Sequence, residues 1–205
     1  MWKGFLVGLV VANGFEWVAH KYILHGTHRS GKPRYSPVPD SMKSHWEHHR
    51  EVRKTDFNDH GYVEGISNWR TKNEIISVAV VASAASVLFY PVSKGMAAAA
   101  VYSACNYYYI HRRAHLEPDW AMKKIPWHYD HHMNSNQDAN WCVTKPWFDY
   151  ILGTRVISSE NLQEQNPLGI ALPQPFSKVL NFVAERYFPA KWVEKVSKLE
   201  LKVEA

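Results

Sequence analysis

Cysteine is nearly missing from this chain: its 205 residues hold two, Cys105 and Cys142. Two cysteines build no disulfide framework, and they exclude a cysteine-rich structural zinc site. Any metal held here must take nitrogen and oxygen ligands. Internal repeats are absent, as are a glycine-rich phosphate loop, a Ser/His/Asp nucleophile pattern, and any haem, flavin or iron–sulfur motif. A nucleic-acid motif is missing too. The chain is basic, with a formal charge of +5, but its aromatics sit in apolar runs rather than among the basic residues, which argues against a nucleic-acid partner. Acidic residues are scarce in one place above all. Between His20 and Lys54 stand eight basic residues (Lys21, Arg29, Lys32, Arg34, Lys43, Arg50, Arg53, Lys54) against Asp40, Glu47 and Glu51, leaving the segment at +5.

Long apolar runs are present, although the mean hydropathy of −0.37 hides them. The first extends from Trp2 to about Leu24, long enough for the ~20 residues a bilayer-spanning helix needs. A cleaved leader is the alternative, but Glu16, His20 and Lys21 stand where its small-residue cleavage site would be. A second apolar region covers Ile75 to about Ile110, broken by Pro91, Ser93, Lys94 and Gly95. It reads as a helical hairpin with arms Ile75–Tyr90 and Met96–Ile110. A buried hairpin in a soluble bundle fits the same pattern. Ala82–Ser86 and Ala97–Ala100 would allow close helix packing in lipid. Further basic residues, Arg112, Arg113, Lys123 and Lys124, follow the hairpin. The positive-inside rule then places the histidine-bearing segments in the cytoplasm, with three spans and the N-terminus outside. The expected fold is an all-α integral membrane protein: about three membrane-embedded helices under a cytosolic helical cap. Residues 1–155 form one domain. Residues 156–205 form a polar loop and an amphipathic helix from Phe176, interfacial or packed on the core, and not a separate domain.

Histidine is what the chain has in surplus, with twelve residues. Ten fall into four clusters spread over 113 positions: His20 and His25 (HX4H), His45, His48 and His49 (HX2HH), His111 and His115 (HX3H), and His128, His131 and His132 (HX2HH). His28 and His60 stand apart. Positions i, i+3 and i+4 share a helix face, so His45, His48 and His49 can project together, as can His128, His131 and His132, and His111 and His115 form an i, i+4 pair suited to one metal. Neighbours such as His131 and His132 diverge by about 100° on a helix and suit two metals better than one. Ten imidazoles exceed the six positions of octahedral coordination, so counting gives two ions with five ligands each. A histidine-rich storage tract is the competing idea, but such tracts are low in complexity, and these clusters are set in aromatic and apolar sequence. Around them, Glu16 lies one turn before His20 and is the expected acceptor for a ligand N–H. Asp130, Asp138, Asp149 and His60 are further candidates near the site, and Asn106 and Asn140 either bond ligands or cap helices. Trp46, Tyr107, Tyr108, Tyr109, Trp127, Tyr129 and Trp141 either wall the site from water or anchor the chain at a membrane interface.

These clusters resemble the histidine boxes of the fatty acid hydroxylase and sterol desaturase superfamily, membrane oxidases that use two metal ions. Glu16-Trp17-Val18-Ala19-His20 is similar to that family's lead into its first box. Asn140-Trp141-Cys142-Val143-Thr144, followed by Pro146, Asp149, Gly153 and Thr154, is similar to its segment after the last box. The likeness covers roughly residues 1–155 and is nearest to the fatty-acid-hydroxylase branch; His45–Asp59 also resembles bacterial carotenoid hydroxylases. It implies two iron ions (zinc as a substitute in purified protein), O2 as co-substrate, and hydroxylation of a C–H bond in a lipid-like, fatty acyl substrate. It also implies an external electron donor of ferredoxin or cytochrome type, for which Arg50, Arg53, Lys123 and Lys124 offer a basic face. Desaturation of a lipid or sterol, carotenoid hydroxylation, and a non-catalytic membrane protein that stores or senses zinc or copper stay open as alternatives.

Overall fold

A computed structural model describes residues 1–26, 43–157 and 166–188. His28 and the basic residues Arg29, Lys32 and Arg34 lie outside the described residues, as do 158–165 and everything after 188. The described residues are all-helical, with no strand among them.

Helix α1 (Trp2–Val18) continues directly into a π-helix, Ala19–Leu24. Helix α2 is Lys43–Lys54, and the short α3 (Gly61–Glu64) leads through a 3-10 turn into α4 (Trp69–Phe89). Helix α5 is Lys94–Leu116, α6 is Pro118–Lys124, α7 is Pro126–Met133, α8 is Trp147–Ile151 and α9 is Gln174–Tyr187. The hairpin arms are longer than the apolar runs that announce them. Asn68 caps α4 by accepting from the Arg70 and Thr71 backbone N–H groups at 3.0 and 3.5 Å, so the polar residues before Ile75 are already helical. Ser93 caps α5 in the same way, accepting from Met96 N at 3.4 Å. At its other end α5 runs past Ile110 and carries His111 and His115 with it. Prolines 118 and 126 open α6 and α7, where the lost N–H costs nothing.

Helix α5 lies between α1 and α4 and touches both along much of its length. Its approach to α1 depends on small residues at four-residue spacing. A Cβ at Gly8 would come within 2.5 Å of Ala99 Cβ and 3.1 Å of Met96 Cα. A Cβ at Gly95 would collide with Met1 O and lie 2.7 Å from Phe5 N. Gly4 and Gly8 on one helix, facing Gly95 and Ala99 on the other, form the small-xxx-small seam that lets two backbones meet without an apolar filler.

The outward surface of these helices is greasy. Leu6, Val7, Val10, Val11 and Phe15 on α1, Val80, Val87 and Leu88 on α4, and Val101 and Tyr102 on α5 are all exposed. Helix α4 is long and apolar enough to cross a membrane, and no residue of its most apolar stretch is buried in the protein. Its 21 residues extend roughly 32 Å at 1.5 Å per residue, about the thickness of a hydrocarbon layer.

Polar and charged groups share the interior with apolar ones. The cap, built from α2, α3, α6, α7, α8 and the ends of α1 and α5, buries histidines beside two small apolar clusters. One holds Val52, Phe57, Ala114, Ala121, Ile125 and Trp127; the other holds Trp17, Trp141 and Cys142. Replacement Gly8→Leu should separate α1 from α5 and lower the thermal midpoint in detergent by the equivalent of about 1–3 kcal/mol. An unchanged melting curve would show that the close approach carries no stability.

Candidate metal centre

Local geometry explains how each cluster converges. In an α-helix, residues five apart point about 140° away from each other, so HX4H would scatter His20 and His25. The π-helix bonds i to i+5, and His25 N donates to His20 O at 2.9 Å. That single turn brings the two rings edge to face on one side, with centroids 5.2 Å apart. Elsewhere α-helical spacing suffices: His45 with His49, His111 with His115 and His128 with His132 are all i, i+4.

Nine of these histidines form two groups. His20, His25, His45, His49 and His131 are one; His48, His111, His115 and His132 are the other. Within each group the nitrogens lie within 4.8 Å of one another, and all nine residues are buried. His128 stands beside the second group, its Nε2 3.3 Å from His115 Nε2. The adjacent residues are divided between the groups: His48 from His49, and His131 from His132. The angular divergence of neighbours on a helix accounts for that division. His48 and His49 remain close, with ring centroids 6.1 Å apart, so the two groups share a wall.

The nitrogens that converge are lone-pair bearing, and the outer contacts show it. His20 Nδ1 meets Trp141 O at 2.5 Å, His131 Nδ1 meets Ala139 O at 2.7 Å and His115 Nδ1 meets Phe57 O at 2.9 Å. A carbonyl only accepts, so each Nδ1 carries the hydrogen and each Nε2 carries a lone pair. His48 Nδ1 donates to Asp59 Oδ2 at 2.8 Å, and His111 Nδ1 to Glu74 Oε1 at 2.6 Å. Inside the first group, His45 Nε2 lies 3.1 Å from both His20 and His49 Nε2, and His49 Nε2 lies 3.2 Å from His131 Nε2. At that distance two lone pairs repel, and a hydrogen on any one of these Nε2 atoms bridges only a single neighbour. His48 Nε2 and both nitrogens of His132 are buried with no hydrogen-bond partner. Leaving such groups unmet is costly in a protein interior. A cation among them removes both penalties, so the residues present fit bound metal. Burial, with repulsion from neighbouring histidines, holds His45, His49, His128 and His132 well below the ordinary histidine range. Burial pushes His131 down to about 4, against its bond to Ala139 O. All are therefore neutral near pH 7, the form that binds metal.

The surrounding frame locks these rings. Asp59 also accepts from Gly61 N at 2.8 Å and Arg70 Nη2 at 2.9 Å. Tyr62 donates to Glu74 Oε2 at 2.6 Å and lies 2.9 Å from His111 Nδ1. Phe57 adopts φ 72°, rare for a bulky residue; that conformation turns its carbonyl to His115 and its ring against the His115 imidazole, 4.6 Å away. Strain of this kind persists where the surroundings fix it. Asp149 accepts from the Trp141 and Cys142 backbone N–H groups at 2.8 and 2.9 Å, fixing the carbonyl that receives His20.

Several site candidates from the sequence fall elsewhere. Glu16 does not meet His20. Its carboxylate accepts from Val143 N, from Thr144 N at 2.8 Å and from Thr144 Oγ1 at 2.7 Å, because α1 becomes π-helical before His20 and the 141–145 segment occupies the intervening side. Asp130 accepts from Arg155 at 3.0 and 3.1 Å in a buried ion pair. Asn140, at φ 59°, accepts from Val156 N and Arg155 Nη1, each at 2.8 Å, holding that turn. Asp138 and His60 are exposed and outside both ligand groups, but the Asp138 charge acts on His131. Arg50, Arg53, Lys123 and Lys124 are all exposed, and Arg53 is also tied to His132 O at 2.7 Å and Asn134 O at 2.8 Å. Of the aromatics, Trp46, Trp127 and Trp141 are buried, and Tyr109 is exposed. Trp46 and Trp141 pack on His25 at 4.5 and 4.8 Å. Sequence reading missed Asp59, Glu74, Tyr62, Phe57 and Gln137, whose side-chain amide lies 3.3 Å from His49 Nδ1 and donates to His132 O at 3.1 Å. Glu74 alone had a usable signal, an acid at the start of an apolar helix.

Comparison with family models, curated proteins and solved structures finds no match for this chain, so the reading of the site rests on its own geometry.

The lowered imidazoles set a pH dependence. Between the ordinary histidine value of 6.5 and about 4, the unfolded chain binds protons at a group such as His131 that the folded chain does not. Stability therefore falls as pH drops through that window. The melting temperature of metal-free protein should decrease from pH 7 to pH 5, and added metal should raise it more at pH 7 than at pH 5. A midpoint that holds or rises on acidification would contradict the assignment of buried neutral imidazoles.

Proposed function

We propose that this chain is an integral membrane, O2-dependent hydroxylase that uses two iron ions to oxidise a C–H bond of a lipid-like, fatty acyl substrate. The observation that carries the reading is the convergence of nine buried imidazoles into two adjoining groups, with His128 beside them. Imidazole ligands suit iron, zinc, copper and nickel alike, so the choice of iron rests on the resemblance of the histidine boxes to those of the fatty acid hydroxylase and sterol desaturase superfamily. Bound iron would supply the activation of O2 for attack on an unactivated C–H bond.

The chain's own residues hold and shield the centre. His20, His25, His45, His49 and His131 would hold one ion; His48, His111, His115, His132 and His128 would hold the other. Asp59 and Glu74 keep the Nδ1 protons of His48 and His111, and three carbonyls keep those of His20, His115 and His131, so every one of these rings presents its Nε2. Trp46, Trp141 and Phe57 exclude water from the rings they cover.

In this reading α1, α4 and α5 lie in the bilayer and the cap faces the cytoplasm. Exposed apolar residues on all three helices support it, as does the surplus of basic residues beside the histidine boxes. An acyl chain would enter from the bilayer beside Tyr107, whose ring is 5.4 Å from that of His111, while its head group stays at the interface. Electrons come from an external ferredoxin or cytochrome-type donor, with Arg50, Arg53, Lys123 and Lys124 as exposed basic residues for docking.

Accurate-mass lipid profiling of cells with and without the protein tests the proposal. The double variant His48→Ala, His131→Ala removes one residue from each group and serves as the control. A species heavier by one oxygen, absent with the variant, is the expected result. A species lighter by two hydrogens would reassign the protein as a desaturase. No change in iron-replete cells that contain a donor would overturn the lipid-oxidase reading in favour of a metal store or sensor.

A further inference from the structure

The two histidine groups differ in what stands behind them. In the first, the outer nitrogens of His20, His131 and His49 meet uncharged groups: Trp141 O, Ala139 O and the Gln137 amide. Glu16 and Asp149 bind backbone N–H groups of residues 141–144 and so act one peptide removed from His20, and the exposed Asp138 acts on His131 through its charge. In the second, two rings donate directly to carboxylates, His48 to Asp59 at 2.8 Å and His111 to Glu74 at 2.6 Å. Arg70, 2.9 Å from Asp59 Oδ1, offsets one of those charges. Among the described residues no Lys or Arg pairs with Glu74; its second oxygen is met by the Tyr62 hydroxyl. It therefore supplies the net negative charge behind the second group.

A carboxylate behind a ligating imidazole raises its basicity and offsets the charge of the cation. Ligand number does not reverse the order, because His128 beside His115 brings the second group to five imidazoles, equal to the first. We infer that the two metal sites are unequal: the group of His48, His111, His115 and His132 binds a divalent first-row cation first and more tightly, with Glu74 as the residue that sets the difference, and the group of His20, His25, His45, His49 and His131 is the weaker, exchangeable site. This rests on the proposal that both groups bind metal. Glu74 is a positioning residue in this scheme, acting through His111.

The test is titration of metal-free, full-length protein in detergent with Co2+, followed by calorimetry and by the visible absorption of the bound ion. Two equivalents should bind in two steps separated by at least about tenfold in affinity. Glu74→Gln keeps an acceptor of the same shape and removes the charge; it should weaken the first step by about 10–100-fold and leave the second unchanged. Asp59→Asn should weaken the same step by less, because Arg70 already offsets its charge. His131→Ala should abolish the weaker step alone, and its retained tight step shows that the variant is folded. Two equivalents bound with one affinity, or a Glu74→Gln effect confined to the weaker step, would overturn the inequality while leaving both sites intact. No Co2+ uptake by the unaltered protein would overturn the metal reading itself.

Discussion

Nε2 atoms of five buried imidazoles crowd to about 3 Å of one another, and the rest of this molecule is arranged around that convergence. Unmet nitrogens such as His48 Nε2 and the two of His132 sit in a region with no access to water. A polar group in such a place needs a partner, and a divalent cation is the one partner that satisfies several lone pairs together. The cap is thus a shell around two points of convergence, and its apolar clusters are small because histidine fills the space an ordinary core would take.

Holding that geometry requires contributions from segments far apart in the chain. The π-turn after α1 aligns His20 with His25. Helices α2 and α7 each send one of two adjacent histidines to either group. Helix α5 extends beyond its apolar length to deliver His111 and His115. Segment 141–155, clamped by Glu16 on one side and Asp149 on the other, brings the Trp141 carbonyl to His20. These clamps tie the first helix to a loop more than a hundred residues later. The close α1–α5 contact through Gly8 and Ala99 sets the distance between the first and third clusters before any histidine is placed.

Much of this was legible. HX3H and HX2HH spacings on helices predict which imidazoles share a face, and the apolar runs separated by Pro91–Gly95 predict the hairpin. The HX4H pair carried a clue of its own, since five-residue spacing converges only where the helix widens, but a π-turn has no residue signature to confirm it. What spacing does not reveal is the supporting frame. Asp59 and Glu74 are single acids, 11 and 37 positions from the histidines they hold. Phe57 acts through a backbone conformation, and Tyr62 through a hydroxyl that reaches Glu74. Glu16 illustrates the limit in the other direction: its position one turn before His20 implied a direct bond, and the intervening change of helix type sent its carboxylate to Thr144 instead. Long-range partners of this kind depend on tertiary placement, which local periodicity does not encode.

Metal stoichiometry and ligation test the central claim most directly. Protein purified from metal-replete cells would be analysed for its elements and by X-ray absorption at the edge of whichever metal it holds. The account predicts two first-row metal ions per chain, with nitrogen or oxygen neighbours at about 2.0–2.2 Å, imidazole scattering and no sulfur shell. A protein that retains no metal and takes up none on reconstitution would contradict it, as would a spectrum dominated by sulfur.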